Sequence, residues 1–156
     1  MMTCRKRLEK LFREEGVKFS VSKHAEVYSA QRVAGALHIP GEQLAKVVMV
    51  KANGEMTMLV LPAPYRLDFK KVKKALKTKD VQLATEEEFA THFPDCEVGA
   101  MPPFGRLYNL EVYVDRALTT QPEIAFPAGS HREIMQVAYA DFERLGEPAV
   151  ADLSSG

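Results

Sequence analysis

The sequence lacks several features that would assign it to common protein classes. Among its 156 residues it has only two cysteines, Cys4 and Cys96, which are too few for a disulfide framework and have no CxxC spacing. No apolar run reaches the roughly 18 to 20 residues of a membrane span. The charged N-terminal stretch also has no apolar segment typical of a signal peptide. These absences predict a cytoplasmic protein with no membrane partner.

Motifs for several kinds of cofactor and catalysis are also missing. The four histidines show no HxH or HExxH spacing, so a zinc site has no support. The absence of a Walker loop, a GxGxxG motif and a GxSxG motif argues against triphosphate-binding, dinucleotide-binding and α/β-hydrolase functions. We therefore expect neither a metal nor an organic cofactor.

The charge of the chain is balanced. Lysine and arginine total 21, as do aspartate and glutamate, so the net charge is zero. This argues against a protein that holds long duplex nucleic acid through its overall field, although a local basic patch is still compatible. The hydrophobic share of 46% and the charged share of 27% are those of an ordinary globular domain with its own core.

Helix and strand patterns are interspersed along the chain. Apolar spacing predicts a helix over residues 3–15 and another that begins at Asp68, while Thr85 and Glu88 form a capping box. Asn53-Gly54 joins two predicted strands in a hairpin. The other predicted elements are strands at 17–21, 44–50, 56–61, 110–114, 124–126 and 134–137, helices at 29–38 and 140–145, and a loop at 95–105.

This order of elements predicts the α+β class rather than a purely parallel sheet. We expect a single domain over residues 1–156 with a curved mixed sheet flanked by helices. Its core is expected to run from about residue 17 to residue 146, and residues 147–156 are expected to form a flexible tail. No internal repeat or linker divides the chain.

Lys46 is the most informative single residue. It lies in the predicted strand Leu44–Val50, whose two alternating faces are otherwise apolar. A buried lysine is costly unless it has a partner or opens into a cavity, which favours a functional role for its ammonium group. The alternative is a lysine that reaches solvent from a position near the end of the strand.

Two further segments have the composition of a binding site. In Val98–Gly105 two prolines fix the backbone and two glycines allow close approach, so its N–H groups suit a carbonyl oxygen or an oxyanion. An ordinary surface turn is the alternative. In Ala128–His131 the histidine can contact a substrate or a ribose hydroxyl, or it can simply be solvated. Cys96 has no recognisable base in the sequence and is not predicted to be a nucleophile.

Lysines are concentrated in the helix that begins at Asp68. The apolar positions expected to face the core are Phe69, Val72 and Leu76. The lysines that share the outer face are Lys70, Lys74 and Lys77. Such a face either contacts phosphates or is a solvated helix surface.

Taken in order, these segments resemble the YbaK/ProX family of aminoacyl-tRNA deacylases, which includes the editing domain inserted in bacterial prolyl-tRNA synthetases. The resemblance extends from about His24 to Leu145. The matching pieces are His24, Tyr28-Ser29, Leu44-Ala45-Lys46-Val47-Val48, Gly99 to Gly105, Gly129-Ser130-His131 and Asp141-Phe142. The family implies a YbaK/ProX-like α+β fold whose curved, barrel-like sheet surrounds a small pocket.

The resemblance also implies a function and a site. The function is trans-editing: hydrolysis of the ester of a mischarged aminoacyl-tRNA by a positioned water, without a metal or a covalent intermediate. The implied catalytic residues are Lys46, Gly99 and His131. The implied substrate-binding residues are Tyr28, Ser29, Ala100, Met101, Pro102, Gly129 and Ser130. The expected partners are mischarged tRNA, contacted by Lys70, Lys74 and Lys77, and an aminoacyl-tRNA synthetase.

Two other functions stay open at this point. A non-catalytic module would bind aminoacyl-tRNA or a synthetase through the same pocket without hydrolysis. A general nucleic-acid binder would use the lysine helix and bind plain duplexes with steep salt dependence, although zero net charge argues against it. The sequence does not select the amino acid removed, for which alanine, cysteine, serine and threonine are all compatible with the family.

Overall fold

Helices and strands alternate in the computed structural model, which describes residues 3–23 and 39–155. The helices in these ranges are α1 (Cys4–Glu14), α2 (Phe69–Leu76), α3 (Glu86–Ala90) and α4 (Tyr139–Gly146). The strands are β1 (Phe19–Lys23), β2 (Ala45–Ala52), β3 (Glu55–Pro62), β4 (Arg66–Leu67), β5 (Val81–Leu83), β6 (Glu111–Asp115), β7 (Glu123–Pro127), β8 (Glu133–Ala138), β9 (Ala149–Ala151) and β10 (Ser154–Ser155). The helix predicted at 29–38 lies outside the described residues.

Capping side chains determine where the first three helices begin. Thr3 accepts a backbone N–H of the first turn of α1, and Asp68 accepts two at the start of α2. Thr85 and Glu88 form the predicted capping box of α3. Each cap satisfies N–H groups that have no partner within the helix. None of the helices in the described ranges is long and apolar enough to cross a membrane.

The largest sheet is mixed and has the strand order β5-β2-β3-β6-β9. Strands β2 and β3 form the predicted hairpin, in which Asn53 and Gly54 have φ values of 52° and 82°. Strand β6 then pairs in parallel with β3 on one side and with β9 on the other. A second, antiparallel sheet has the order β1-β8-β7, and β4 pairs with β10. The predicted α+β class with a mixed sheet is confirmed.

The expectation of a barrel-like sheet is wrong for the described strands. The five-stranded sheet ends at β5 and β9, which have three residues each and do not pair with one another. Between the two larger sheets the described residues form a single isolated bridge, from Leu44 to Ala125. Barrel closure needs a ladder that continues from strand to strand around the whole sheet, and one bridge does not provide it.

Phe104 is an anchor of the main core. Its ring lies 5.6 Å from that of Phe12 in α1 and 5.4 Å from those of Phe126 in β7 and Phe142 in α4, measured between centroids. Edge-to-face pairs of this kind contribute about 0.5–1.5 kcal/mol each beyond the area they bury. The segment Val98–Gly105 is called the glycine-proline loop below. Phe104 therefore fixes the end of this loop against both a sheet and two helices.

Residues 149–155, where the sequence predicted a flexible tail, include two short strands that pair with the rest of the fold. Strand β9 extends the large sheet, and Leu153 is fully buried. The buried carboxylate of Asp115 accepts the Leu153 backbone N–H at 2.8 Å and the Ser154 hydroxyl at 2.9 Å. A buried carboxylate needs such donors, and these last residues supply them.

Helix α2 covers the outer face of the large sheet. Val72 packs there with Val50, Leu59 and Leu153 in a hydrophobic cluster, which is called the outer cluster below. Phe69, by contrast, is 37% exposed, so its predicted place on the buried side is wrong. The helix is short, and one fully buried residue together with the pairing of nearby strands holds it in position.

Candidate functional site

The glycine-proline loop contacts the turn between β7 and β8. The Gly129 N–H donates to the Ala100 carbonyl at 3.0 Å, and the Glu97 N–H donates to the Gly129 carbonyl at 2.8 Å. Nε2 of His131 lies 2.8 Å from the carbonyl oxygen of Val98. These backbone contacts bring together six of the residues predicted from the sequence, namely Gly99, Ala100, Met101, Gly129, Ser130 and His131.

The His131 ring is oriented by its contact with Val98. A carbonyl oxygen only accepts hydrogen bonds, so Nε2 carries the hydrogen of this bond. The backbone N–H of His131 donates to a carboxylate oxygen of Glu97 at 3.1 Å. Glu97 and Val98 therefore hold the histidine from the loop side.

Gly99 has a backbone conformation that favours glycine. Its φ is +85°, and a β-carbon at this position would lie 3.4 Å from Cε1 of His131. The Gly99 N–H donates to the sulfur of Met101 at 3.3 Å. A thioether is a weak acceptor, and a carbonyl oxygen is a stronger one. This N–H is therefore suited to exchange its internal partner for a substrate oxygen.

The residues after Gly99 form a buried wall. Ala100 is fully buried and Met101 is 4% exposed, while Pro102 and Pro103 are also buried. The Ala100 N–H donates to the Glu97 carbonyl at 3.0 Å, so it is already used within the loop. The two prolines restrict the backbone and Phe104 anchors its end, which gives this side of the site little freedom to move.

Lys46 is half-buried on β2. Within the described part of the chain its ammonium group has no ion-pair partner, which removes the usual compensation for burial. Burial lowers the pKa of Lys46, and the positive charge of Arg66 lowers it further. Two neighbouring cations, one of them partly desolvated, form a local environment that favours an anionic ligand.

The strand that carries Lys46 runs beside the strand that leads to the turn. Leu44 forms a parallel bridge with Ala125, and both pack in a small cluster with Ile134 of β8. Counted two residues on from this bridge, Lys46 corresponds to Pro127, the last residue of β7. In the described residues Lys46 makes no hydrogen bond to Gly99 or His131.

The remaining predicted positions are Tyr28, Ser29 and the three lysines of α2. Tyr28 and Ser29 fall outside the described residues. Lys70, Lys74 and Lys77 are all exposed, at the predicted helical spacing, and Lys77 ends α2 with a φ of 56°. The Ser130 hydroxyl is used locally, since it accepts the Arg132 N–H at 3.2 Å.

The structure adds three groups that the sequence interpretation did not include. Glu97 and the Val98 carbonyl hold His131, and Arg66 adds a second positive charge near Lys46. A backbone carbonyl has no sequence signature, and Arg66 lies in a strand of two residues that has no detectable pattern. No local signal in the sequence could have found them.

The sequence model of one protein family covers the strand with Lys46, the glycine-proline loop and the histidine turn. It is described as the aminoacyl-tRNA editing domain and matches residues 24–145. The chain belongs to this family. The resemblance noted from the ordered motifs is thereby confirmed.

Curated relatives of this editing-domain chain include proline–tRNA ligases. The ligase of Acidithiobacillus ferrooxidans is 32% identical over 119 residues, which cover 75% of this chain and 20% of the ligase. The ligase of Macrococcus caseolyticus is 25% identical over 135 residues, which cover 79% of this chain and 23% of the ligase. The chain spans about a fifth of the length of these relatives.

Solved structures share the fold along nearly the whole chain. A protein described as a candidate trans-editing enzyme for prolyl tRNA synthetase aligns with a TM-score of 0.84 and 22% identity, covering 100% of this chain and 99% of the other. The hypothetical protein APE2540 aligns with a TM-score of 0.85 and 20% identity, covering 96% and 99%. At these identities the likeness shows a common fold.

Proposed function

We propose that this editing-domain chain is a trans-editing hydrolase that cleaves the ester between a wrong amino acid and the 3′ end of its tRNA. The observation that carries the proposal is the joined loop and turn, in which Gly99 lies beside His131 on a rigid wall. The family and the structural neighbour described as a candidate trans-editing enzyme support it.

The physical need for such a hydrolase follows from the limits of binding selectivity. A synthetase pocket gains only about 1–3 kcal/mol from one extra methylene, so it cannot strongly exclude a slightly smaller amino acid. A second, smaller cavity that hydrolyses whatever fits supplies the missing discrimination. The wall of Ala100, Met101 and Pro102 is buried and stiff, as this task requires.

Gly99 is proposed to bind the ester carbonyl. In this step the substrate oxygen replaces the Met101 sulfur as acceptor of the Gly99 N–H, and water attacks the carbonyl carbon. The N–H then stabilises the oxyanion, a contribution of about 10²–10³ in rate for one well-placed donor. The tRNA hydroxyl leaves with one proton of the water, the other proton passes to solvent, and the amino acid is released as its carboxylate. His131, Gly129 and Ser130 are proposed to line the pocket, with Tyr28 and Ser29 limiting its size.

Lys46 is proposed to hold the terminal adenosine through its phosphate or ribose. Its charge is partly desolvated and lies near that of Arg66, so an anion between them would gain from both. The correspondence between Lys46 and Pro127 supports a position beside the same pocket. In this way the tRNA end would be fixed on one side of the ester and the amino acid on the other.

The exposed face of α2 is proposed to contact the tRNA backbone. Lys70, Lys74 and Lys77 are exposed. Within residues 3–23 and 39–155 they form no ion pair. Phosphate contacts of this kind position a nucleic acid without reading its sequence. An aminoacyl-tRNA synthetase is the proposed protein partner, supported by the relatives in which a similar segment is part of a proline–tRNA ligase.

The deciding experiment is a deacylation panel. Purified protein is incubated with mischarged alanyl-, cysteinyl-, seryl- and threonyl-tRNAs, and the loss of ester is measured against the spontaneous rate. We expect at least one of them to be cleaved far faster than in buffer. Binding without cleavage of any would support the non-catalytic module instead. Equal binding to plain duplexes, with steep salt dependence, would support the general nucleic-acid binder.

A further inference from the structure

Two cysteines that are distant in sequence meet beside the loop and turn. The Cys4 N–H donates to the carbonyl of Asp95 at 3.3 Å, so the start of α1 lies next to the peptide unit that leads into Cys96. The hydroxyl of Tyr108 lies 3.6 Å from the Cys4 sulfur and 3.4 Å from the Cys96 sulfur. The two sulfurs lie within 4.8 Å of one another. A disulfide has its sulfurs about 2.05 Å apart, so the two side chains must turn toward one another to form it.

Asp95 completes the group but does not make it an open metal site. One carboxylate oxygen is paired with Arg7 at 2.9 Å, and the other accepts the Tyr108 hydroxyl at 2.9 Å. Because both oxygens already have strong partners, the carboxylate serves to orient the tyrosine between the thiols. The two sulfurs are therefore the reactive feature of this cluster.

The surroundings favour a thiolate at Cys4. A hydrogen bond from the Cys96 thiol lowers the pKa of Cys4, burial opposes this, and the Tyr108 hydroxyl lowers it again. The same hydrogen bond and burial raise the pKa of Cys96. Cys4 is also the first residue of the 11-residue helix α1, where the helix dipole stabilises negative charge. The negative charge of Asp95 raises the pKa of Cys4, and the balance of these effects favours the thiolate at Cys4 and the thiol at Cys96.

Both cysteines border a surface cavity of about 440 Å³ whose wall also includes Glu97, Gly129 and Ser130. Cys96 is half-buried, whereas Cys4 is 2% exposed. The cavity brings a reagent as small as a peroxide next to the pair, and the burial of Cys4 shields its sulfur from larger reagents.

We propose that Cys4 and Cys96 are a redox modification site that closes to a disulfide on exposure to a peroxide. The Cys4 thiolate attacks one peroxide oxygen, an S–O bond forms, and the O–O bond breaks to release hydroxide, which is protonated to water. The Cys96 sulfur then attacks the sulfur of the resulting sulfenic acid. The S–S bond forms, the S–O bond breaks, and the leaving hydroxide takes the Cys96 proton as a second water. Two thiols are oxidised and one peroxide is reduced.

The disulfide would add a covalent link between two parts of the chain that otherwise meet through hydrogen bonds, the ion pair of Arg7 with Asp95, and packing. Gly129 lies so close to Cys4 that a β-carbon there would be 2.5 Å from the Cys4 β-carbon. Cys96 lies three residues before Gly99 in the loop. Closing the bond would therefore fix α1 to the loop, next to the turn, and raise the thermal midpoint of unfolding. This inference does not depend on the proposed hydrolysis.

The test uses the whole reduced chain. Native protein is treated with hydrogen peroxide and then denatured, the remaining thiols are blocked with N-ethylmaleimide, and proteolytic peptides are analysed by mass spectrometry. We expect both thiols to disappear together, a peptide that links Cys4 to Cys96 within one chain, and recovery of both thiols with dithiothreitol. Links only between chains, or two thiols that stay fully alkylated, would show that the proposal is wrong.

Two kinds of variant separate the proposed chemistry from simple exposure of thiols. Cys4→Ser should leave Cys96 nearly unreactive, whereas Cys96→Ser should leave a Cys4 that stops at the sulfenic acid.

Tyr108→Phe keeps a ring to pack against Phe93, at 4.6 Å between centroids, but removes the hydroxyl between the sulfurs. It should form the disulfide several-fold more slowly. Equal rates in Tyr108→Phe and the parent chain would contradict the role given to that hydroxyl, and independent oxidation of each cysteine to sulfinic acid would contradict the pair itself.

Discussion

The carbonyl oxygen of Val98 and Nε2 of His131 are joined at 2.8 Å across 33 residues of sequence. The bond links two segments that each contain a glycine with positive φ, Gly99 at +85° and Gly129 at +93°. Neither segment is a helix or a strand, so this contact and the two backbone bonds beside it hold them in register. The position of the loop therefore depends on the turn, and a change in either one is transmitted to the other.

Replacing Gly99 by alanine should impair catalysis more than folding. The new β-carbon would be held at φ +85°, a strain of about 1–2 kcal/mol, and would press on the His131 ring from 3.4 Å. We expect deacylation of a mischarged tRNA to fall by at least about tenfold, the equivalent of about 1.4 kcal/mol. Single-turnover rates and the thermal midpoint of unfolding should be measured on the same preparation.

Gly16→Ala is the matched control for this variant. Gly16 has a φ of +70°, but a β-carbon there would meet nothing within 4 Å. This variant should lose comparable stability and keep its full deacylation rate. If both variants lose activity equally, the loss comes from stability, and Gly99 has no special part in the site.

Lys46→Ala should abolish deacylation while the fold is kept. Lys46 is half-buried, has no ion-pair partner in the described ranges and has a lowered pKa, so its removal costs the fold little. The comparison variant is Lys73→Ala, which removes an exposed lysine from α2. Circular dichroism checks the fold, and ester cleavage checks the function. Unchanged turnover in Lys46→Ala would refute the role assigned to this residue.

The double change Lys70→Glu and Lys74→Glu should weaken tRNA binding without changing which amino acid is removed. These side chains are one helical turn apart on the exposed face of α2. They are distant in sequence from the glycine-proline loop. Loss of phosphate contacts should reduce the slope of log affinity against log salt by about one unit per contact. Binding is measured by fluorescence titration at several salt concentrations.

A charge-matched pair of changes tests whether location matters. Lys6→Glu with Lys10→Glu alters the net charge equally but lies on the exposed side of α1. If this pair weakens tRNA binding as much as the α2 pair does, the effect is one of overall charge and α2 is not the contact.

Leu153→Ala should destabilise the fold by about 2–5 kcal/mol. The side chain is fully buried against Val72 and Leu59 in the outer cluster, and its backbone N–H is bound to Asp115. Val150→Ala is the control, because Val150 is 39% exposed in β9 and should change the free energy of unfolding by less than about 0.5 kcal/mol. Urea denaturation of both variants measures the difference. A small effect of Leu153→Ala would mean that these residues do not contribute to the core.

The sequence predicted the longer elements because each has a pattern long enough to detect. Strands β2 and β3 have eight residues each and are joined by a typical Asn-Gly turn. Strands β4, β5, β9 and β10 have two or three residues, too few for an alternating pattern to be distinguished from chance. Leu153 is a single apolar residue among turn-forming ones, and its burial depends on Asp115, which is 38 residues away. The local sequence around Leu153 therefore does not predict its hydrogen bond to Asp115.

The site was predicted in the same uneven way. Lys46 could be selected as a candidate because a lone cation in an apolar strand is a local anomaly. The pairing of loop and turn could not, since it depends on backbone groups such as the Val98 carbonyl and on the Glu97 carboxylate. Phe69 shows the limit of helical spacing, because it is 37% exposed although it has the spacing of a core-facing residue with Val72 and Leu76.

The parallel pairing of β6 with β9 has a consequence for biosynthesis. Residues 116–151 must be added after β6 before the edge of that strand can be covered. At about 5–20 residues per second, the ribosome leaves the edge open for roughly 2–7 seconds. During that interval one edge of β6 has no partner in the sheet, and it is the kind of edge on which another chain can add a strand.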